Sequence, residues 1–239
     1  MTQLTVLSIF AHPDDEAFGS GGTLAGLVRK GHNMTLVCAT NGDVGEISDP
    51  ELATPENLWQ VRQEEMRRAM EVMGLSDVRF LGYRDSGMDG TPDNENPASL
   101  FQADPAKVEA QISAMIDELQ PDIVFTHDPT GGYGHPDHLT VHQRTTAVID
   151  AITEKRPHLY FVCFPKGNFR KLWQDMTDAG ITPPFAKEAL DDIGSPDDYV
   201  TTVKDVSEYV DIKRESLSHH RTQLDPNGPF GVMAPDILT

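Results

Sequence analysis

Cysteine is nearly absent from this 239-residue chain: Cys38 and Cys163 are the only two. A disulfide framework is therefore not what stabilises it, and two thiols inside apolar runs fit a reducing compartment. Basic residues are scarce as well, 19 against 38 acidic ones, for a formal charge of -19. Without a basic footprint the chain has little with which to hold a phosphate backbone or an anionic bilayer, so no nucleic acid and no membrane are expected as partners. No apolar run approaches the roughly 18 residues that a membrane span needs. The N-terminus lacks the basic stretch, apolar core and cleavage site of a secretion signal. These absences point to a cytoplasmic protein whose partner is a small neutral molecule such as a sugar, with homo-oligomer formation left open.

What is present alternates. Short apolar runs at 4–10, 33–40, 77–83, 122–126 and 159–164 read as buried strands, and 199–203 as a sixth. Helical periods fill the intervals at 21–30, 54–72, 106–119 and 139–152, with a last helix at 207–220. That order implies a Rossmann-like three-layer α/β/α fold around a mainly parallel sheet. No linker or repeat divides it, so one domain over 1–239 is expected. Residues 89–105 read as a long surface loop with little to bury, a type often used as a lid. Residues 166–198, with Pro183 and Pro184 in tandem and Phe169, Trp173 and Phe185, read as an irregular excursion that shapes the substrate site.

One stretch organises the rest. The first strand empties into Ala11-His12-Pro13-Asp14-Asp15-Glu16, a histidine and three carboxylates within five residues. Such a group repels itself unless a cation sits among it, although acids after a strand also cap helices. A second cluster, Tyr133-Gly134-His135-Pro136-Asp137-His138, follows the fourth strand. Two His-Pro-Asp loops at the carboxyl ends of strands in one sheet would meet where open α/β sheets hold ligands. Asn41 and Glu46, in the loop after the second strand, would hang over the same rim. His142, one helical turn beyond His138, is a further ligand candidate but more simply a histidine behind or beside the site.

A catalytic zinc takes three protein ligands and keeps one position open. His12, Asp15 and His138 supply two histidines and a carboxylate, a set that also suits iron(II). Asp14 then points elsewhere and is free to act as general base. His135 as an imidazolium, or the Tyr133 hydroxyl, could stabilise an oxyanion, with Asp137 orienting or charging His135 through its other nitrogen. Either His135 or Asp14 could return the proton to a leaving amine. Arg62 lies beside the apolar stripe of its helix, by default a solvated side chain, with reach into the pocket as the alternative.

The paired motifs resemble the LmbE-like (PIG-L) deacetylases, zinc-dependent enzymes that remove acetyl from N-acetylglucosamine conjugates. The likeness extends to Thr40-Asn41-Gly42, Arg62 with Glu65, residues 81–85, and a C-terminal run ending His220-Arg221-Thr222-Gln223. It implies His12, Asp15 and His138 as metal ligands, Asp14 as base, and His135 as the residue stabilising the tetrahedral intermediate. Asp137 would tune His135, and Tyr133 would be a mobile contributor. Arg62 and Asp85 match positions that hold sugar or aglycone hydroxyls. The substrate expected is a small amino-sugar conjugate. An amidase removing a larger acyl group from a glucosaminyl thiol conjugate is a close variant. A Rossmann-type nucleotide-binding module and a catalytically idle metal binder are different classes. Against the former, Gly19-Ser20-Gly21-Gly22 lacks the dinucleotide fingerprint.

Overall fold

Five parallel strands form one sheet in the order β3-β2-β1-β4-β5 in a computed structural model that describes residues 2–224. The remainder of the expected 1–239 domain lies outside the described residues. The strands are β1 (Thr5–Phe10), β2 (Asn33–Thr40), β3 (Asp77–Tyr83), β4 (Ile123–His127) and β5 (His158–Val162). The helices are α1 (Asp15–Gly19), α2 (Gly21–Arg29), α3 (Leu58–Met73), α4 (Pro105–Leu119), the distorted single turn α5 (Gly131–Gly134), α6 (Pro136–Ala151), α7 (Lys166–Asp178) and α8 (Val210–Leu217).

The period of two along each strand divides the core into two layers. Leu7 and Ile9 of β1, with Val37 of β2 and Val124 of β4, pack against Ile112 of α4 and Val141 and Ile149 of α6. Phe10, Leu36 and Cys38 face the other way, onto Leu24 of α2 and Met66, Met70 and Met73 of α3. α8 lies against α2 and α3 on this second face. The expected three layers are therefore present.

From β1 the chain steps outward to β2 and β3, then returns across the sheet to place β4 on the opposite side of β1. The carboxyl ends of β1 and β4 are thus the point at which strand order reverses, and loops leaving there diverge to opposite faces and open a crevice. Both His-Pro-Asp loops start at that crevice.

Four expectations need correction. Residues 199–203 do not form a sixth strand. Val203 is 88% exposed, and a β-prone run without a neighbour to hydrogen-bond or an apolar surface to cover stays irregular. Residues 166–198 are less irregular than expected, because Phe169, Trp173 and Met176 share one face of α7. The long helix starts at Leu58, not at 54: Thr54–Asn57 is a turn in which the Thr54 carbonyl accepts from Asn57 and Leu58. Residues 89–105 bury more than their composition suggests. Leu100 is fully buried, and the Asn94 amide donates to the Ser86 and Met88 carbonyls, so the segment is a packed strap. Among the described residues no helix is long and apolar enough to cross a membrane.

Candidate metal centre

The loop after β1 is a tight turn held by its own carboxylates. The His12 amide donates to Asp15 Oδ2 at 2.7 Å, which brings both side chains to the same side. Asp14 between them has φ of 127°, a region that side-chain-bearing residues seldom occupy. Such a conformation costs of order 1–3 kcal/mol and persists only where the surroundings dictate it. Here Arg62 dictates part of it, donating to the Pro13 carbonyl at 2.7 Å and to Asp14 Oδ2 at 3.2 Å.

Across the crevice, Asp128 organises the turn before α6. Its carboxylate, buried at the end of β4, accepts from the Thr130 and Ser195 hydroxyls and from the Gly132 amide. Gly131 and Gly132 have positive φ, and a Cβ on Gly131 would meet His138 and Leu139 at 3.2 Å. That close approach lets the Gly131 carbonyl accept from His138 Nδ1 at 3.0 Å. His135 caps α6, its Nδ1 accepting from the Asp137 amide.

These contacts determine which ring nitrogens are free. His138 donates from Nδ1, so Nε2 carries a lone pair into the crevice. His12 donates from Nε2 to Asp137 Oδ2 at 3.2 Å, so Nδ1 carries its lone pair inward. The two lone pairs confront each other at 3.1 Å, with Asp15 oxygens 3.6 Å from His12 Nδ1 and 3.3 Å from His138 Nε2. Three acceptors with no donor among them repel unless a cation joins them. Ligands about 2.0–2.2 Å from a tetrahedral ion sit roughly 3.3–3.6 Å from one another, close to these separations. The residues therefore fit a metal. The surrounding carboxylates favour positive charge at this spot: burial opposes a charged His12, yet Asp85, Asp137 and Asp15 outweigh it and hold its pKa well above the ordinary value, so a proton on Nδ1 and a metal ion compete for the same place. Burial likewise opposes ionised Asp15, but His138, His127 and His12 keep its pKa well below the usual carboxylate range.

Other arrangements of donors also lie close together, such as His12, His135 and His138, or Asp15, His127 and His138. His127 is already engaged, its Nε2 accepting from the Ala11 amide at 3.0 Å. Burial and the neighbouring His138 push its pKa down to about 4, and its ring stacks on His138 at 4.0 Å. It forms a wall against which the His138 ring lies.

Two expected roles change. Asp137 does not face His135 with its carboxylate; the two oxygens take His12 Nε2 and the Ser86 amide and hydroxyl. The Asp137 backbone is what touches His135, because capping turns the His135 ring back over its own helix start. His135 is also no imidazolium: a ring nitrogen that accepts a hydrogen bond carries no proton, and burial with His12 and His138 nearby pushes its pKa down to about 2. Nε2–H remains as its donor, 4.0 Å from Asp85 Oδ1. Asp137→Asn should therefore weaken metal affinity about 10–100-fold, the usual cost of losing a carboxylate behind a ligating histidine, measured by competition against a chromophoric chelator.

The remaining candidates lie around this core. Tyr133 is 48% exposed at the mouth, its ring 5.1 Å from His138. Asp85 is buried beside His12 Nε2 at 3.6 Å. His12 is the main reason that, despite burial, Asp85 sits below the usual carboxylate range. Arg62 is only 3% exposed and gives its guanidinium to the Gly42 and Pro13 carbonyls and to Asp14 instead of to solvent. A Cβ on Gly42 would lie 2.5 Å from that guanidinium. The Asn41 side chain is held by Gln63, and Glu46 is exposed. His142 donates from Nδ1 to the His127 carbonyl at 2.9 Å, away from the donor cluster.

Sequence reasoning missed His127, Ser86, Asp128 and the buried contacts of Glu16. Their common sign was polar residues immediately after strands β3 and β4, and a third carboxylate in the first loop without a role.

Comparison with known proteins supplies an independent line. Residues 7–152 match the family model described as PIG-L, GlcNAc-PI de-N-acetylase. A 1D-myo-inositol 2-acetamido-2-deoxy-alpha-D-glucopyranoside deacetylase from Acidothermus cellulolyticus is 36% identical over 245 residues, spanning 98% of this chain and 84% of its own. The enzyme of the same name from Thermobifida fusca is 39% identical over 246 residues, spanning 94% and 85%. In the solved structures, N,N'-diacetylchitobiose deacetylase from Pyrococcus horikoshii has the same fold, with a TM-score of 0.61 and 23% identity over 92% of this chain and 71% of that one.

Proposed function

The chain belongs to the PIG-L family of GlcNAc-PI de-N-acetylases, and from that premise we propose that the crevice between β1 and β4 hydrolyses the acetamide of a small N-acetylglucosamine conjugate. The single observation that carries this reading is the pair of opposed imidazole lone pairs closed by Asp15. His12, Asp15 and His138 would hold the ion, for which zinc is our assignment, since two imidazoles and one carboxylate with an open fourth position is a catalytic zinc set. Bound there, the ion supplies Lewis acidity to the amide carbonyl and to the attacking water.

The chain's own residues do the rest. Asp14, next to a ligand but not itself in the donor set, has Oδ2 held by Arg62 and takes a proton from the attacking water. His135 Nε2–H, with Tyr133 at the mouth, donates to the oxygen that becomes negative as the carbonyl turns tetrahedral. Asp14 then carries the proton needed by the leaving amine. Asp137 and Ser86 hold the His12 ring, and Asp85 lines the inner wall beneath His135.

The sugar enters over Tyr133, with Asn41 and Glu46 on the opposite rim. We assign residues 166–198 to shaping this entrance; their attachment to the Tyr133 turn through Gly194 N–H to the Gly132 carbonyl at 2.7 Å, and through Ser195 to Asp128, supports that role. The relatives' names make an inositol glycoside the first substrate to try. Cytoplasmic residence belongs to the same reading and is supported by the free thiols Cys38 and Cys163. One domain is supported by the single sheet.

Metal-loaded protein offered N-acetylglucosaminyl-inositol, free N-acetylglucosamine and diacetylchitobiose should release acetate and a primary amine in equal amounts from at least one. Absence of both products from all three overturns the reading.

A further inference from the structure

Behind the crevice, on the side away from the donor cluster, a second chain of contacts reaches the strained Asp14 peptide. The Asp14 amide donates to Glu16 Oε2 at 3.0 Å. Glu16 Oε1 in turn meets His220 Nε2 at 2.8 Å, both side chains fully buried and 204 residues apart. His220 sits just beyond α8, in a turn whose next residues are anchored to α3: Thr222 donates through its amide and hydroxyl to Glu65 at 2.9 and 2.7 Å. Glu65 is one turn along α3 from Arg62, which holds Pro13 and Asp14 from the other direction. His220 Nδ1 is buried without a hydrogen-bond partner. An unpaired nitrogen in so tight a place is tolerated where the opposite nitrogen has a task.

We propose that Glu16 and His220 are positioning residues for the general base: His220 fixes the Glu16 carboxylate, and Glu16 holds the Asp14 peptide in its left-handed φ so that the Asp14 side chain faces the reacting water. An ordinary backbone at Asp14 would swing the carboxylate off Arg62 and away from the crevice. The C-terminal turn at 217–223 is thereby part of the catalytic apparatus without touching substrate. This inference rests on Asp14 being the base.

The experiment compares Glu16→Ala, Glu16→Gln, His220→Ala and His220→Gln in the full chain loaded with zinc. Displacing the base should cut kcat about 100-fold in both alanine variants, with KM changed by less than about threefold and zinc content unchanged. Glu16→Gln retains an oxygen for the Asp14 amide and should recover at least about a tenth of wild-type kcat. Independently of activity, hydrogen exchange at the Asp14 amide should accelerate in Glu16→Ala and His220→Ala and stay slow in Glu16→Gln. If His220→Ala does not fold, His220→Gln, whose amide can still donate to Glu16, should keep the amide protected, and Glu16→Ala carries the comparison. A folded, zinc-replete Glu16→Ala with wild-type kcat, or with unchanged Asp14 exchange, overturns the proposal. If Asp14→Asn itself turns over normally, it is the assignment of the base that fails, and the exchange measurement still reports on the clamp.

Discussion

Asp14→Asn should keep its metal and lose turnover by a factor of about 10²–10⁴, the range over which a positioned general base contributes. The substitution is close to isosteric. An asparagine Oδ1 can still accept from Arg62, and asparagine is among the few residues that tolerate a positive φ. The backbone of the β1 loop is therefore preserved, along with the His12–Asp15 contact that brings those two side chains together. What is lost is an acceptor for the proton of water. Elemental analysis of the variant beside wild type, and acetate release at saturating substrate, separate the two quantities. Loss of metal would make Asp14 a ligand. Full activity with the metal retained would mean that another group serves as the base.

His138→Ala should fail in the opposite order. Removing the imidazole takes away one of the two opposed lone pairs, and no neighbour can replace it. His127 stacks on the same ring, but its Nε2 is committed to the Ala11 amide. His135 spends its Nδ1 on the cap of α6. Metal affinity should fall by more than about 100-fold, beyond the loss produced by changing a residue that merely supports a ligand. Purified protein should contain little zinc, with far-ultraviolet circular dichroism unchanged. Retention of one equivalent of zinc would mean that the ion is held on the other flank of His12, by His135, Asp85 and Asp137, and that the ligand assignment is wrong. Together the two variants divide the site into a part that binds and a part that reacts.

Much of this was legible without coordinates. The five strands recur within a residue or two of where apolar runs ended, because strands packed between two helical layers, the central three above all, are mostly apolar and stop where polarity begins. The two His-Pro-Asp clusters stood out for the same reason: ionisable groups crowd where a buried strand empties into a loop. The failures cluster where sequence neighbours do not determine the outcome. Tyr199, Val200 and Val203 look like a strand but have no partner. Arg62 looks solvated from its place on α3, yet the loop at 42–45 folds over it. Asp137 was paired with its sequence neighbour His135, whereas its carboxylate crosses the crevice to His12.

Amino-acid order alone determined the alternation of strands and helices, the parallel sheet, and the identity of the residues that could bind a cation, since these follow from local polarity and short spacings. Tertiary structure decided which nitrogen of each histidine faces inward, that Asp137 serves His12, and that His220 reaches Glu16 from 204 positions away. Those outcomes depend on hydrogen-bond partners brought together by the reversal of strand order at β1 and β4, and a buried polar group takes whichever partner packing delivers, however distant in the chain.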